Sequence, residues 1–537
     1  MKNIIIITVL VLLLFVPFTG KIALFDWDEA NFAEISREMI VRGDWSEMTI
    51  NYEPFHEKPP LFFWLQAVTM KTFGINEFSA RFPNILMAIL TLSLLFLAGK
   101  KLKGNSFGWL WVLCFGGSFL PQFYFRFGII DPLFNLLNFI SVLFIFYALN
   151  DERGKVYKWA ISGLAAGLSV MTKGPAGLLL IVLPVVVYLL FQRKYKKIKI
   201  YQPFFWLAAC MLPSAIWFLF SHHEGLFLKD FLQRNIELLT NADAGHGGFF
   251  LYHWLVVFAG MFPLSILVFY SFRQKKEKDS DFSLLMKILL LTVLIVFTLV
   301  RTKIVHYSSL AYLPLSWLVA ESMENIRHSK SVLPVFLSVT AKIFAVLAGL
   351  MMMSAIILLK FRSQLIDWTD DIFIRECLLA EADWNNQILI TTIVLAVIFV
   401  ATIWLWINKP FSMKLFYLNL AVVLLISQWF WIVLLPQVQK HTQGAVVEFS
   451  KSVSGNEPYI ITMGHKSYLP YFYGKVKEDK DFKGKNKYEV LLTPVRKKLY
   501  IISKSDKAAE IAEMYNLEEV YRKNGWVFMI RKFDISE

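Results

Sequence analysis

Acidic residues are concentrated where the first polar segment of the chain follows a long apolar run. The stretch FDWDEANFAEISREMI, residues 25–40, places Asp26, Asp28, Glu29 and Glu34 close together. Carboxylates at a membrane boundary are costly unless a cation, a metal ion or a substrate pairs with them. The cluster is therefore a candidate functional site, although a structural role for Asp28 as the N-cap of a helix explains the same pattern.

A second charged cluster follows in EPFHEKPPLFFW, residues 53–64. Glu57 and Lys58 stand beside Pro59 and Pro60, whose rings restrict the backbone and hold the two charged side chains in one geometry. This arrangement indicates that a charged substrate binds here. An exposed ion pair is the structural alternative.

Cationic side chains recur in the short polar segments between later apolar runs, in FRFGIIDP, TKGP and RTKIVHYSSLAYLP. Arginine and lysine bind phosphate through charge-assisted hydrogen bonds, so a phospholipid-type substrate is the simplest common partner. Taken singly, an ion pair of Arg126 with Asp131, or snorkelling of Lys173 to the interface, accounts for the same residues. The cations at the expected depth of a lipid phosphate are Lys58, Arg126, Lys173, Arg301 and Lys303.

Four residues supply ligand types that suit a divalent metal ion: His56, Glu57, His246 and His253. Their spacing matches no motif such as H-E-x-x-H. No Walker A loop, dinucleotide-binding fingerprint or G-x-S-x-G element stands out either. The sequence therefore argues against a nucleotide-driven pump and against a hydrolase of that kind.

The chain as a whole is too apolar for a soluble globular protein. Of its 537 residues, 56% are hydrophobic and 18% are charged, and the mean hydropathy is +0.52. These values predict a polytopic membrane protein. The net charge of +14 is explained by the positive-inside rule, so no nucleic-acid partner is expected.

About thirteen apolar runs approach the length of about 20 residues that a bilayer requires. Lysine and arginine are denser in one set of alternate connecting segments, such as QRKYKKIKI and FRQKKEKD, and this set is predicted to be cytoplasmic. The long segments 26–81 and 221–253 then lie outside the cytoplasm. Within the first of them, the sequence predicts two helices along the bilayer surface, over 29–41 and from Pro59–Pro60 to Gly74.

The last hundred or so residues differ in character from the membrane part, 1–436. Residues 437–537 contain short β-like stretches such as PYIITM, EVLLTP and LYIIS, and a helix-like DKAAEIAEMYN. VYRKNGWVFMI has the pattern of a hairpin with its turn at Asn524-Gly525. They predict a small soluble α/β domain outside the cytoplasm.

The charged clusters occur together in one known group of enzymes. The chain resembles the polyprenyl-phosphate-sugar-dependent glycosyltransferases of the GT-C class, especially the bacterial aminoarabinose transferases and their relatives, the protein O-mannosyltransferases. The motifs that carry the resemblance are DEANFAEISREMIVRGDW at 28–45, EKPPLFFWL at 57–65, FGINEFSARFP at 73–83, DP at 131–132, TKGP at 172–175 and TKIVHYSSLAYLP at 302–314. They occur in the order expected for the family.

The resemblance implies a mostly α-helical GT-C fold in the bacterial inner membrane. It also implies transfer of one sugar from a donor of the undecaprenyl-phosphate type at the outer face. By the family pattern, Asp28 is the essential acidic residue, expected to act as general base, and Asp131 is a second catalytic acid position. Lys58 is similar to a ligand of the donor phosphate, and Lys303 and Tyr307 match the motif that closes over it.

Further roles follow from the same resemblance. Glu57 is similar to a position that can bind a divalent metal ion, with a histidine of the later long loop, His246 or His253, as partner. Arg126 and Lys173 are expected to add positive charge at the phosphate, and no other cofactor is required. One departure is Phe55, because many relatives have a tyrosine there, and the missing hydroxyl removes a contact to the phosphate.

The resemblance leaves the acceptor open, because the matching motifs serve the donor. Lipid A, a hydroxyl group of protein Ser or Thr, and a growing polysaccharide all fit. A lipid or solute transporter is the alternative from a different class, for which internal repeats and ionisable residues near the bilayer midplane are typical. Here the ionisable residues gather at one edge of the apolar runs, which favours an enzyme.

Overall fold

Long apolar helices make up most of the molecule in the computed structural model. The structure describes residues 1–151, 155–221, 247–273, 280–478, 485–492 and 498–531, and from the segment between 221 and 247 it describes 227, 229–231, 233–234 and 236–237. The prediction of a mostly α-helical membrane protein with a small C-terminal sheet domain is confirmed.

Within the described ranges, seven helices are long and apolar enough to cross a bilayer. They are Glu77–Lys103, Asp131–Asn150, Tyr201–Phe220, Asp281–Leu299, Val335–Lys360, Asn386–Asn408 and Met413–His441. An eighth span results if Tyr252–Gly260 and Leu264–Arg273, which are bent by 116° relative to each other, cross the membrane as one unit. The predicted number of thirteen spans is therefore not confirmed.

The difference arises from helix length and hydropathy, because the other predicted runs also lie in helices. These are Lys2–Phe15, Asn105–Gly116 with Phe119–Tyr124, Lys155–Lys173, Pro175–Phe191 and Tyr312–Ser329. Further short helices of this part are Lys194–Lys197, Val305–Ala311, Arg362–Leu365, Ile366–Trp368 and Ile372–Leu378. The run predicted over 106–124, for example, is interrupted where Gly117 and Ser118 end the first helix.

The short apolar run over 159–172 lies within the helix Lys155–Lys173. Two glycines in it explain how closely it packs. This helix packs tightly against Tyr201–Phe220. A Cβ atom added at Gly163 would lie 2.2 Å from the carbonyl oxygen of Trp206, and one at Gly167 would lie 2.1 Å from that of Cys210. Small residues allow such close backbone approach between helices in lipid, where hydrophobic burial does not drive association.

The first long polar segment contains the two predicted helices, at Asp28–Arg42 and Leu61–Phe73. Gly43, with φ of +72°, follows the first helix in the left-handed conformation typical of a C-terminal cap. A two-residue hairpin joins the strands Thr49–Ile50 and Glu53–Pro54 between the helices. The N-cap position is Trp27 and not Asp28, because Asp28 is already the first helical residue and makes no capping hydrogen bond.

The C-terminal part forms a four-stranded sheet. In spatial order its strands are Tyr459–Met463, Leu499–Lys504, Trp526–Arg531 and Leu517–Lys523; the first pair is parallel and the other two are antiparallel. Its helices are Gly444–Val453, Leu469–Gly474, Lys487–Leu492 and Ser505–Met514. The predicted turn at Asn524-Gly525 has positive φ at both residues, as a tight hairpin requires. The EVLLTP stretch is helical over its described part.

Hydrogen bonds join the sheet domain to the first polar segment. The carbonyl oxygen of Val476 accepts from Arg37 Nη2 at 2.7 Å and from the hydroxyl of Tyr52 at 3.0 Å. The hydroxyl of Tyr473 accepts from the backbone N–H of Leu24 at 2.7 Å. The sheet domain thereby fixes the segment that leads into helix Asp28–Arg42.

Candidate active site

A cavity of about 870 Å³ opens where the first polar segment meets the ends of the membrane helices. Its walls come from segments far apart in sequence, so only the folded chain creates it. The charged and hydrogen-bonding side chains that line it include Asp26, Asp28, Glu53, His56, Glu57, Lys58, Asp131, Lys173, Arg234, His306, Tyr307, Lys466 and Tyr468.

Two acidic side chains converge on one histidine at this cavity. His306 Nε2 lies 3.1 Å from Asp28 Oδ2 and 3.6 Å from Asp131 Oδ2. Asp131 is buried, whereas the side chain of Asp28 keeps 40% of its accessible surface and opens into the cavity. Asp28 is therefore the more accessible of the two acids, and Asp131 lies deeper in the protein.

Two lysines add positive charge beside these acids. Lys173 Nζ lies 2.6 Å from Asp131 Oδ1 and 4.5 Å from the centre of the Tyr307 ring. Among the residues that the structure describes, Lys58 has no carboxylate within 4 Å of its ammonium group and no hydrogen-bond acceptor. An anion that enters the cavity is thus free to bind Lys58.

The electrostatics of the cavity favour an ionised Asp28. Burial alone raises the pKa of Asp28, but the hydrogen bond and positive charge of His306, with the charges of Lys58 and Lys173, outweigh burial and hold this pKa below its usual value. Burial lowers the pKa of Lys58; repulsion by Lys173 adds to the decrease, and Asp28 and Glu57 oppose it. A bound phosphate would relieve the repulsion between the two lysines.

Glu29, the residue that follows Asp28, forms a buried ion pair that helps to position Asp28. The Arg81 guanidinium donates to both carboxylate oxygens of Glu29, at 2.7 and 2.8 Å. The backbone N–H groups of Phe25 and Gly128 also donate to Glu29. Glu29 therefore ties the start of helix Asp28–Arg42 to two other segments, which leaves Asp28 to face the cavity.

The residue before Asp28 has an unusual backbone. Trp27 has φ of 67° and ψ of −128°, a conformation that costs a residue with a side chain about 1–3 kcal/mol. Its N–H donates to Asp26 Oδ1 at 2.9 Å, and its carbonyl accepts from the N–H of Asn31 at 2.8 Å. These bonds hold the sharp turn that directs Asp28 into the cavity.

The sheet domain completes one wall of the cavity. Gln443 accepts from the N–H of Asp26 at 2.9 Å and donates to the carbonyl of Leu24. The hydroxyl of Ser467 donates to Asp26 Oδ1 at 2.9 Å, and the neighbours of Ser467, Lys466 and Tyr468, line the cavity. Sequence reasoning assigned no site residue to this domain.

Arg126, which is predicted to bind the phosphate, does not line the cavity. Its guanidinium is buried between the rings of Phe15 and Trp431, with its carbon 5.2 and 5.1 Å from their centres. Nη2 donates to the carbonyl of Leu14 at 2.7 Å and to Gln428 Oε1 at 2.6 Å. Arg126 thus joins the first helix to the last membrane helix.

Lys303 also points away from the cavity. Its ammonium group donates to the carbonyl oxygens of Phe297, Thr298 and Val300, at 2.8, 2.9 and 2.6 Å. These carbonyls lie at the end of helix Asp281–Leu299, where backbone acceptors have no partner within the helix. Lys303 therefore caps this helix, and the expected contact with the donor phosphate is not supported.

The predicted metal ligands are not brought together. Glu57 Oε1 lies 3.7 Å from Arg234 Nε, whereas His253 is buried outside the cavity lining, 3.0 Å from the hydroxyl of Ser308. His246 lies outside the described residues. Within the described part of the chain, no group of three such side chains is arranged to hold a metal ion, so the two predicted ligands described there do not fit the expected ion.

His306 is the functional candidate whose role the sequence did not reveal. It lies within the motif TKIVHYSSLAYLP, but no spacing marks it as the partner of Asp28 and Asp131, which lie far from it along the chain. The structure does bring Asp28, Lys58, Asp131, Lys173 and Tyr307 to one cavity.

Comparison with known proteins shows a likeness of fold to ArnT and a partial match to one enzyme family. The crystal structure of ArnT from Cupriavidus metallidurans bound to undecaprenyl phosphate matches with a TM-score of 0.77 at 16% identity, over 100% of this chain and 99% of that one. The family described as dolichyl-phosphate-mannose-protein mannosyltransferase matches residues 57–217.

The chain is also similar to two arabinosyl transferases over part of its length. It is 30% identical over 329 residues to the undecaprenyl phosphate-α-4-amino-4-deoxy-L-arabinose arabinosyl transferase of Pectobacterium carotovorum, covering 60% of this chain and 58% of the relative. The enzyme of the same name from Edwardsiella ictaluri is 28% identical over 327 residues, or 59% and 58% of the two chains. The matched region thus spans less than two thirds of these relatives. The apolar helices and these similarities support a multi-pass protein of the bacterial inner membrane.

Proposed function

We propose that the chain transfers a single sugar from a polyprenyl-phosphate donor of the undecaprenyl type to an acceptor at the outer face of the inner membrane. The observation that carries this proposal is the cavity in which an accessible acid, Asp28, lies near two lysines, Lys58 and Lys173. The names of the similar proteins, and the undecaprenyl phosphate bound to the ArnT structure, support the same donor.

The chemistry assigns a separate task to each charge. The bond between the sugar carbon C1 and the phosphate oxygen breaks, and its electron pair leaves with the polyprenyl phosphate. Lys58 and Lys173 stabilise the negative charge that develops on this phosphate. Asp28 removes the proton of the acceptor hydroxyl as its oxygen bonds to C1, a contribution of general-base catalysis worth about 10²- to 10⁴-fold.

Asp131 acts indirectly in this scheme. It is buried and holds Lys173 at 2.6 Å, so it fixes the position of a phosphate-binding cation. No metal ion is assigned a role, because the predicted ligands do not converge within the described residues. The distribution of lysine and arginine in the connecting segments supports an extracytoplasmic position for the cavity and the sheet domain.

A lipid acceptor such as lipid A is proposed over a protein hydroxyl. The match to the mannosyltransferase family covers only 57–217, whereas the match to ArnT covers the whole chain, including the sheet domain that walls the cavity. A sheet domain common to both chains supports a common kind of acceptor, which the fold alone does not define.

The test uses the full chain in nanodiscs with undecaprenyl phosphate carrying radiolabelled 4-amino-4-deoxy-L-arabinose. Separate reactions contain lipid A, a Ser/Thr-containing peptide or no acceptor. We expect release of undecaprenyl phosphate together with labelled lipid A. Label in the peptide would overturn the lipid acceptor only. Uptake of donor into sealed vesicles without turnover would overturn the enzyme.

A further inference from the structure

His306 lies at the centre of the charged groups in the cavity. Its Nε2 is within 3.1 Å of Asp28 and 3.6 Å of Asp131, and its ring meets that of Tyr307 at a centroid distance of 5.4 Å and an angle of 74°. Its side chain is mostly enclosed, with 16% of its surface accessible. A histidine held in this way contacts both acids but has little room to contact a bulky acceptor.

We propose that His306 is a positioning residue for the transfer reaction, whose Nε2–H group holds the Asp28 carboxylate in the orientation that accepts the acceptor proton. This inference rests on the proposed function. The 3.1 Å contact with Nε2 is made by Oδ2 of Asp28, so Oδ1 is the oxygen left to receive the proton. The same N–H lies near Asp131, which keeps the imidazole from turning away.

The charges around His306 explain why this role suits a histidine. Asp28 is the first residue of helix Asp28–Arg42, and Asp131 is the first residue of helix Asp131–Asn150. Both carboxylates face Nε2 of His306. Lys173 faces Asp131 on the far side, and Lys58 acts on Asp28 across the cavity. A lysine at position 306 would add a third permanent positive charge beside these lysines, whereas an imidazole donates a hydrogen bond in both its neutral and its cationic form.

His306 lies on a short 3-10 helix, Val305–Ala311. The ring of the next residue, Tyr307, packs against that of Phe297 at 5.9 Å with an angle of 45°, and it lies under the ammonium group of Lys173. The side chain that follows His306 is thus held by two contacts. This supports a role in orientation and does not require His306 to move during catalysis.

The test compares His306→Gln with His306→Ala in the transfer assay. The side-chain amide of glutamine can place an N–H near the position of Nε2, whereas alanine cannot. We expect kcat to fall about 10- to 100-fold in His306→Ala, which is typical of a lost hydrogen bond to a charged group. The KM for the donor should stay close to wild type, and His306→Gln should recover most of kcat.

The pH profile supplies a second readout that a purely structural role would not change. Because the positive charge of His306 helps to depress the pKa of Asp28, both variants should shift the acid limb of kcat to higher pH. The matched control is His56→Gln, since His56 lines the same cavity and pairs with Asp230 at 2.8 Å. This control should leave the acid limb where it is, whatever its effect on rate.

The outcomes separate the role of His306 from the function itself. Wild-type kcat in His306→Ala, an unchanged acid limb, or a rise in donor KM at constant kcat would each overturn the positioning role. Binding of undecaprenyl phosphate and thermal unfolding identify a variant that has lost its fold. If His306→Ala has lost its fold, the kcat and the acid limb of His306→Gln, compared with those of wild type, test the positioning role instead. Absence of transfer by the wild-type protein would contradict the proposed function instead.

Discussion

Arg81 and Glu29 form a buried bidentate ion pair directly beneath the acid that faces the cavity, with N–O distances of 2.7 and 2.8 Å. The two residues lie on different helices, and the pair also binds backbone groups of Thr19, Ile22 and Phe25, between the first helix and Asp28. The position of Asp28 therefore depends on the integrity of this pair.

Removal of one partner should destabilise the protein strongly. Glu29→Gln leaves the Arg81 charge buried without a counter-ion, and we expect a loss of about 3–5 kcal/mol in unfolding free energy. The matched control is Glu77→Gln, which breaks the more exposed pair of Glu77 with Lys451 and should cost at most about 1 kcal/mol. Thermal unfolding in detergent measures both, and equal losses would contradict the structural role of the buried pair.

Lys58 and Lys303 should differ in the property that they affect. Lys58→Ala should weaken binding of undecaprenyl phosphate about 10- to 100-fold, because charge-assisted hydrogen bonds are worth about 1.5–3 kcal/mol. Lys303→Ala should leave this affinity unchanged but lower the unfolding temperature, because three helix-end carbonyls lose their donor. If Lys303→Ala weakened binding as much as Lys58→Ala did, the corrected assignment of Lys303 would be wrong.

Binding of the donor should weaken at a lower alkaline pH than it would for a lysine with an ordinary pKa. The protonated amine binds phosphate, and burial lowers the pKa of Lys58 below its usual 10.5. Affinity for undecaprenyl phosphate is thus expected to fall as the pH rises through this lowered value. Lys58→Arg keeps its charge to above about pH 12, so its affinity should persist to higher pH. Identical profiles for the two proteins would exclude titration of Lys58 as the cause.

Glu38 should make stability depend on pH in the opposite sense to a salt-bridged acid. Burial, with repulsion from Glu34, raises the pKa of Glu38 to about 8, although Thr49 and Tyr52 donate hydrogen bonds to it. The neutral carboxyl group therefore contributes its full stabilisation at pH values below the ordinary pKa of glutamate. This contribution is lost as the pH rises through about 8.

The variant that tests this is Glu38→Gln, which stays neutral. We expect it to be more stable than wild type by about 5 kcal/mol at pH 9 and by little at pH 4. Chemical denaturation across this pH range measures the difference. A constant difference at all pH values would show that the carboxyl group does not titrate in the folded state.

The sequence predicted the elements whose signals are local. The helices after Asp28 and after Pro60, and the hairpin at Asn524-Gly525, each follow from residues adjacent in the chain. The number of membrane spans was harder to predict. Short helices such as Lys2–Phe15 are apolar enough to resemble spans but shorter than a bilayer requires.

The candidate site was predicted in residue type and only partly in geometry. Lys58 and Lys303 have the same chemistry at the same expected depth. Only the fold shows that Lys58 lines the cavity, whereas Lys303 donates hydrogen bonds to the end of the preceding helix. Arg126 is held by Gln428, far along the chain. His306 could not be singled out, because its partners, Asp28 and Asp131, come from separate segments.

The central claim is that Asp28 accepts the proton of the acceptor while the lysines bind the donor phosphate. The most direct measurement is single-turnover transfer by Asp28→Asn in nanodiscs, with undecaprenyl phosphate carrying labelled sugar and with binding of undecaprenyl phosphate measured on the same sample. We predict binding close to wild type and a transfer rate lowered about 10²- to 10⁴-fold. Transfer by Asp28→Asn at the wild-type rate would contradict the claim.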